Sequence, residues 1–195
     1  MINLEYPEGA TPIDPDEATG LLLTHITTRE ELDRWEHDNI IEALAWIDKT
    51  KPKDILNEIF LRKLHKHMFC NVWEWAGKFR KSDKNIGGRW WQISTDLKDL
   101  CDDAILWVGS RNEPSDEIAV RFHHRLVSIH PFPNGNGRHA RLMADLLLEN
   151  ILDHPRFTWG GANLTNASDT RQRYIAALRA ADGHNYKPLL EVARS

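Results

Sequence analysis

Cysteine is scarce: Cys70 and Cys101 are the only two. Two thiols cannot make a disulfide framework, and no ligand spacing accompanies them, so buried, reduced side chains are expected. The ten histidines include no H-E-x-x-H pair and no zinc-finger spacing. No apolar run approaches the ~20 residues that cross a bilayer. The N-terminus lacks the basic stretch and apolar run of a secretion signal, so the cytoplasm is the expected compartment. Positive charge is not in excess either. The formal net charge of −4 argues against bulk binding to nucleic acid or an anionic membrane. There is no internal repeat, low-complexity tract or linker. What remains is a chain of 195 residues, 41% hydrophobic and 28% charged, which fits one soluble domain with a sizeable core.

Helical periodicity dominates. Pro7, Gly9 and Pro12 mark an extended lead-in. Asp14-Pro15 predicts a short helix that Gly20 ends. Thr28 with Glu31 forms a capping box, from which a helix runs to about Asp48 with Leu32, Trp35, Ile40, Ala43, Leu44 and Ile47 as its stripe. Glu36 lies four residues from both Leu32 and Ile40, which puts a carboxylate on or beside that buried stripe. After Pro52 a helix is expected over about Asp54 to Phe69, with Leu56, Ile59, Phe60 and Leu64 inward. Residues 79–94 change texture. Gly87-Gly88 is a hairpin turn signal and Trp90, Trp91 and Ile93 favour strand, so a small β-hairpin is expected. Further helices are expected from Thr95, from Ser115 to His130, from Asn136 to Asn150, from Ser168 to Gly183, and after Pro188. The tract from Asp153 to Asn166 reads as irregular. The expected fold class is mainly α, a helical bundle with a small β-hairpin.

The segment from His130 reads H-P-F-P-N-G-N-G-R-H-A-R. Gly135 and Gly137 clear side chains from a helix start, where bare N–H groups and the helix dipole favour an anion. Arg138 and Arg141 are three apart on the new helix, hence on one face near its positive end. Two guanidiniums without acids in that turn suit a polyphosphate. His130 ends the preceding helix, where a neutral imidazole can take a proton from a hydroxyl. Asn134 offers an amide oxygen to a metal or to a cap, and Phe132 is expected to bury its ring and fix the loop. Each residue alone is ordinary. Base, glycines and two arginines in fixed register are not.

The segment resembles the signature of the Fic family, H-x-F-x-(D/E/N)-G-N-G-R-x-x-R, at every specified position. A weaker likeness runs through Trp75-Ala76-Gly77, Phe79-Arg80, Ile86-Gly87-Gly88, and Arg173-Tyr174 with Ala177-Leu178. The opening from Pro12 to Ile40 looks most like a bacterial subgroup called mobile mystery protein B, whose members tend to be encoded beside a helix-turn-helix protein.

The resemblance implies a Fic-type helical fold. Residues 1–195 would form a single domain, with a core over 55–190 and residues 1–50 as an N-terminal helical extension packed on it. It also implies transfer of AMP from ATP to a Ser, Thr or Tyr hydroxyl of a target protein. His130 would be the base, and Gly135, Asn136 and Gly137 the anion hole. Arg138 would hold phosphates and Arg141 the γ-phosphate, with Mg2+ bridging the phosphates beside Asn134. Asn134 stands where the commonest pattern has an acid, and a neutral amide is the weaker ligand for a hard cation. A related family, Doc, transfers the γ-phosphate and carries a lysine where this chain has Gly137. Alternatives at the same site are another nucleotide donor, phosphoryl transfer, removal of AMP, or a silent nucleotide-binding module of toxin–antitoxin type.

In this family a hairpin flap pairs with the target segment by strand addition. Residues 79–94 match it in place, with Ile86, Gly87 and Gly88 as the target-positioning turn. Trp90, Trp91 and Ile93 are expected to pack on the body, and Trp73 and Trp75 to be core. Many members carry an inhibitory helix of form S/T-x-x-x-E-G/N. Thr27 to Glu31 fits in part, but Leu32 follows. Glu36 is the alternative: an interior carboxylate needs a partner, and Arg141 is the expected one. Asp145, four residues after Arg141, competes for that arginine. A helix-turn-helix neighbour is an expected partner, and a homodimer is left open.

Overall fold

A computed structural model describes residues 14–110, 112–160 and 167–195. The lead-in before Asp14, Arg111 and the later part of the irregular tract lie outside the described residues. The helices are α1 (Pro15–Ala18), α2 (Arg29–Thr50), α3 (Glu58–Phe69), α4 (Ile93–Ser110), α5 (Ser115–Ile129), α6 (Asn136–Asn150), α7 (Ala167–Asp182) and α8 (Lys187–Ala193).

Local sequence accounts for most boundaries. Thr28 and Glu31 close the capping box on α2: the Glu31 amide donates to Thr28 Oγ1 at 3.2 Å, and the Thr28 amide to Glu31 Oε2 at 3.1 Å. Asn57 caps α3 by accepting from the Phe60 amide at 2.8 Å. This later cap starts the helix at Glu58 rather than near Asp54. The helix phase then turns Ile59 outward, 80% exposed, against expectation. Trp35 likewise stands half out of the α2 stripe. Helix α4 starts at Ile93, two residues before the expected cap, and α7 at Ala167, one before.

Helix α5 lies along α6, with α4 against α5, α2 against α3, and α7 against α8. One apolar cluster gathers Leu61, Leu64, Leu97, Phe122, Leu126 and Met143. The second gathers Val120, Ala144, Leu148, Phe157, Ala177 and Leu189. Helices α5 and α6 feed both, so the segment joining them is anchored at the centre of the bundle.

The hairpin is where the structure departs from expectation. Among the described residues the only β pairing is one isolated antiparallel bridge, Leu21 to Trp73. Residues 79–89 form an irregular loop, and Trp90–Gln92 wind into a 3-10 turn that feeds α4. Side chains take the place of a ladder. Arg80 donates to the carbonyls of Ser82 and Gly88, and Asp83 accepts from the Trp90 amide at 2.9 Å. Trp90 and Trp91 do not pack on the body: they are 42% and 61% exposed. Ile93, Trp73 and Trp75 are buried as expected.

Candidate active site

Helix α5 ends on His130, whose φ of 53° and ψ of 59° lie in the left-handed region. That turn throws the chain across the bundle end and into α6. Asn136 locks the crossing: its Oδ1 accepts from the Phe132 amide at 2.9 Å and its Nδ2 donates to the Phe132 carbonyl at 2.8 Å. Gly135 is left-handed, with φ 77°, and a Cβ there would lie 2.6 Å from Phe69 Cζ. No other residue fits both the dihedral and the space.

His65 of α3, which no sequence motif marks, supports this loop. Its Nδ1 accepts from the Gly77 amide at 3.0 Å, which fixes the proton on Nε2, and Nε2 donates to the Asn134 carbonyl at 3.0 Å. Its ring stacks on Phe132, centroids 3.7 Å apart. Burial, then the neighbouring His139, hold His65 well below the usual histidine range, so it stays neutral. Phe132 is fully buried, as expected of the residue that fixes the loop.

Helix α6 thus starts without a side-chain cap and without an acid in its first turn. Asn134, Gly135, Gly137, Arg138 and Arg141 are all partly exposed. A partly exposed helix start of this kind favours an anion. Arg141 reaches the Gly137 carbonyl at 3.4 Å and lies 5.6 Å from the Tyr174 ring. Among the described residues no carboxylate pairs with it. Asp145 is turned away, accepting from the Phe157 amide at 3.2 Å and from Trp159 Nε1 at 3.0 Å. Burial raises its carboxyl to about 6.

Glu36 is 2% exposed, as its place on the α2 stripe implies. Its partner is Arg138, not Arg141. Glu36 Oε2 sits 2.7 Å from Arg138 Nη1, while Oε1 accepts from Trp73 Nε1 at 2.6 Å. Trp73 holds one carboxylate oxygen, and the Arg138 guanidinium lies 4.9 Å over the Phe69 ring. The carboxylate–guanidinium contact is close, yet Oε2 makes no aligned hydrogen bond. It is a charge contact more than a directed bond.

His130 is 6% exposed. Burial first, then the charge of Arg80, push its imidazole down to about 4, against a backbone hydrogen bond with Val127 that works the other way. The ring is neutral at pH 7. A neutral imidazole has one ring nitrogen without a proton, which can accept one.

Behind His130 stands Arg80, 2% exposed. It and Lys84 are residues the motif did not announce. Lys84 Nζ lies 2.6 Å from both Asp14 Oδ2 and Glu17 Oε2, and Ser82 Oγ donates to Asp14 Oδ2 at 3.0 Å. Helix α1 therefore clasps the 82–88 loop. Lone basic residues in an irregular stretch carry no periodic signal, so spacing could not have found them.

A cavity of about 790 Å3 opens elsewhere, between α4, α5 and α8. It contains no motif residue. Its arginines are already committed, Arg121 to Glu113 and Arg125 to Asp103, both stacked on Trp107. Size alone does not make it the reactive site; the uncapped helix start and the imidazole lie with the motif.

Residues 55–148 match the Fic/DOC family. The chain is 30% identical over 122 residues to a protein adenylyltransferase Fic of Aedes aegypti, covering 58% of this chain and 24% of that protein. It therefore spans about a quarter of that relative's length. Its fold is similar to the N-terminal Fic domain of a putative cell filamentation protein from Bartonella quintana, with a TM-score of 0.69 at 22% identity over 88% of this chain and 84% of that one. It is also similar to the BepC protein of Bartonella tribocorum, solved with bound AMPPNP, with a TM-score of 0.68 at 20% identity over 93% and 97% of the two chains. Among the described residues no helix is long and apolar enough to cross a membrane.

Proposed function

We propose that this chain transfers AMP from ATP to a hydroxyl of a target protein. The observation that carries the reading is the uncapped start of α6, with Arg138 and Arg141 on its first turns and the neutral His130 one loop away. The triphosphate lies across the α6 amides. Arg138 and Arg141 neutralise its oxygens, and their fork geometry orients the chain of phosphates. The target hydroxyl gives its proton to the His130 acceptor nitrogen as its oxygen bonds to the α-phosphorus. The bond from that phosphorus to the bridging oxygen breaks, and pyrophosphate leaves with the electron pair. Positioning and charge neutralisation supply the rate.

Asn134 Oδ1 accepts from the Gly135 amide at 2.7 Å, and a carbonyl oxygen retains a second lone pair. Among the described residues no cluster of three acidic, histidine or cysteine ligands exists. The donor set fits Mg2+ delivered with ATP, with Asn134 as one protein ligand beside phosphate oxygens; the ion would supply charge neutralisation. The target would dock along residues 82–90, where Ile86 is 36% exposed.

Glu36 would act as a restraint on the site by occupying Arg138. This replaces the expected pairing with Arg141 and leaves that second arginine available to the γ-phosphate.

The decisive experiment incubates the protein with Mg2+, candidate targets and ATP labelled at either the α- or the γ-phosphate. Label retained from the α-position, lost in His130→Ala while ATP binding persists, is the expected result. Retention of γ-label alone overturns AMP transfer in favour of phosphoryl transfer.

A further inference from the structure

The end of α5 leaves carbonyls that the helix itself cannot satisfy. Arg80 takes two of them. Its Nε donates to the His130 carbonyl at 2.6 Å and its Nη2 to the Ile129 carbonyl at 3.3 Å. The same guanidinium reaches both ends of the loop beside the site. Nη1 donates to the Ser82 carbonyl at 2.8 Å and Nη2 to the Gly88 carbonyl at 2.6 Å. The Arg80 main chain adds a fifth tie, its amide donating to the Pro131 carbonyl at 3.0 Å.

We propose that Arg80 is a positioning residue that couples the 82–88 loop to the peptide of His130, so that seating a target on the loop and placing the base are one event. This rests on His130 being the base and on the loop receiving the target.

Three features support the coupling. First, the cation is buried with little ionic compensation: its nearest carboxylate oxygen, Asp83 Oδ1, is 3.8 Å away. A buried charge held by carbonyls is costly, and an apolar or amide side chain would support a plain turn at less expense. Second, the guanidinium fork is matched to four carbonyls in two separate segments, and a lysine ammonium cannot span them. Third, the loop touches the base without slack. Gly87 has φ 104°, and a Cβ there would fall 2.8 Å from His130 Cβ and 2.9 Å from Arg80 Nη2. A loop displacement therefore cannot be absorbed locally; it moves Arg80, and Arg80 moves the left-handed turn at His130.

The test compares wild type with Arg80→Lys, which keeps the charge and loses the fork, and with Gly87→Ala, which perturbs the joint from the loop side. Expected in both is a fall in kcat for transfer of about 10- to 100-fold, the scale of a ~1 Å misplacement. KM and affinity for ATP should stay within about twofold, because α6 and its arginines are untouched. Amide exchange should quicken jointly in residues 82–88 and at His130 and Phe132. A scaffold-only role predicts instead that kcat per folded molecule stays within about threefold of wild type, or that exchange quickens in the loop alone. Either result overturns the coupling. Should Arg80→Lys fail to fold, the Gly87→Ala result decides by the same criteria. Should wild type transfer no AMP, the functional reading falls by itself, and the joint or separate exchange of the two segments still decides the coupling.

Discussion

Glu36→Gln separates two opposite accounts of the same contact. In the restraint account, Arg138 must leave Glu36 before it can hold a phosphate. The contact is of the charge-assisted class, which contributes about 1.5–3 kcal/mol when well aligned. Here it is 2.7 Å long but lacks hydrogen-bond alignment, and the Arg138 side chain keeps 30% of its exposure. Both features pull the value to the low end, about 1–2 kcal/mol. Removing the charge should therefore tighten ATP binding by about 5- to 30-fold, at 1.4 kcal/mol per tenfold. Self-modification at subsaturating ATP should rise by a similar factor.

Glutamine is the informative substitute because its amide oxygen can still accept from Trp73 Nε1, a 2.6 Å bond in the wild type. Alanine would orphan that buried donor and open a cavity, mixing about 1–3 kcal/mol of destabilisation into the readout. With glutamine the Arg138 guanidinium can turn toward water, so Tm should fall by only a few degrees, roughly 2–4 °C per kcal/mol for a chain of this size. Calorimetric titration with Mg2+ and a non-transferable ATP analogue gives the affinity, and a thermal melt gives the stability. If ATP binds more weakly in Glu36→Gln, Glu36 orients Arg138 for the phosphate rather than withholding it, and the restraint account is refuted.

Gly135→Ala forces a Cβ to 2.6 Å from Phe69 Cζ at φ 77°; it should lower stability by about 1–3 kcal/mol, seen in chemical denaturation, and weaken ATP binding with it. Burial depresses His65, His123, His130 and His139, the last three to about 3, 4 and 4. Their contribution is present above the unfolded value near 6.5 and is lost as pH falls toward the folded values. Asp145, raised to about 6, works in the opposite sense, its contribution growing as pH falls below about 6, but it is one group against four. Thermal melts from about pH 8 to pH 5 should show Tm falling on the acid side; a flat profile contradicts the burial of these rings. For the same reason the transfer rate should show no inflection near 6.5 from His130 and should decline only as pH approaches about 4. Asn134→Asp keeps the acceptor for the Gly135 amide and adds a hard anionic ligand, so it should lower the Mg2+ concentration for half-maximal transfer, read from a metal titration.

Much of the helical order was legible because caps and apolar periods are local. Thr28 with Glu31 and the glycines around α6 act within four or five residues, and the structure keeps them. The 79–94 loop was not legible in the same way. Trp90, Trp91 and Ile93 carry strand propensity, but propensity describes a fit to a pleated surface. No second strand is offered here. Instead Arg80, fixed from outside the loop by carbonyls some 50 residues on, consumes Ser82 and Gly88, and the tryptophans are left half in solvent.

The partner of Glu36 shows the same divide within the site itself. Helical spacing was enough to bury the carboxylate and to place both arginines near the start of α6. It could not choose between them, because that choice depends on tertiary placement: Trp73, 37 residues along the chain, holds Glu36 Oε1. The consequence is functional. A carboxylate on Arg141 would compete with the far end of the triphosphate, whereas one on Arg138 competes nearer the first turn of α6, beside the amides that no side chain caps. In the restraint account Glu36 therefore acts on entry of the phosphates as a group, and that account predicts that ATP binding moves the Arg138 guanidinium off Glu36.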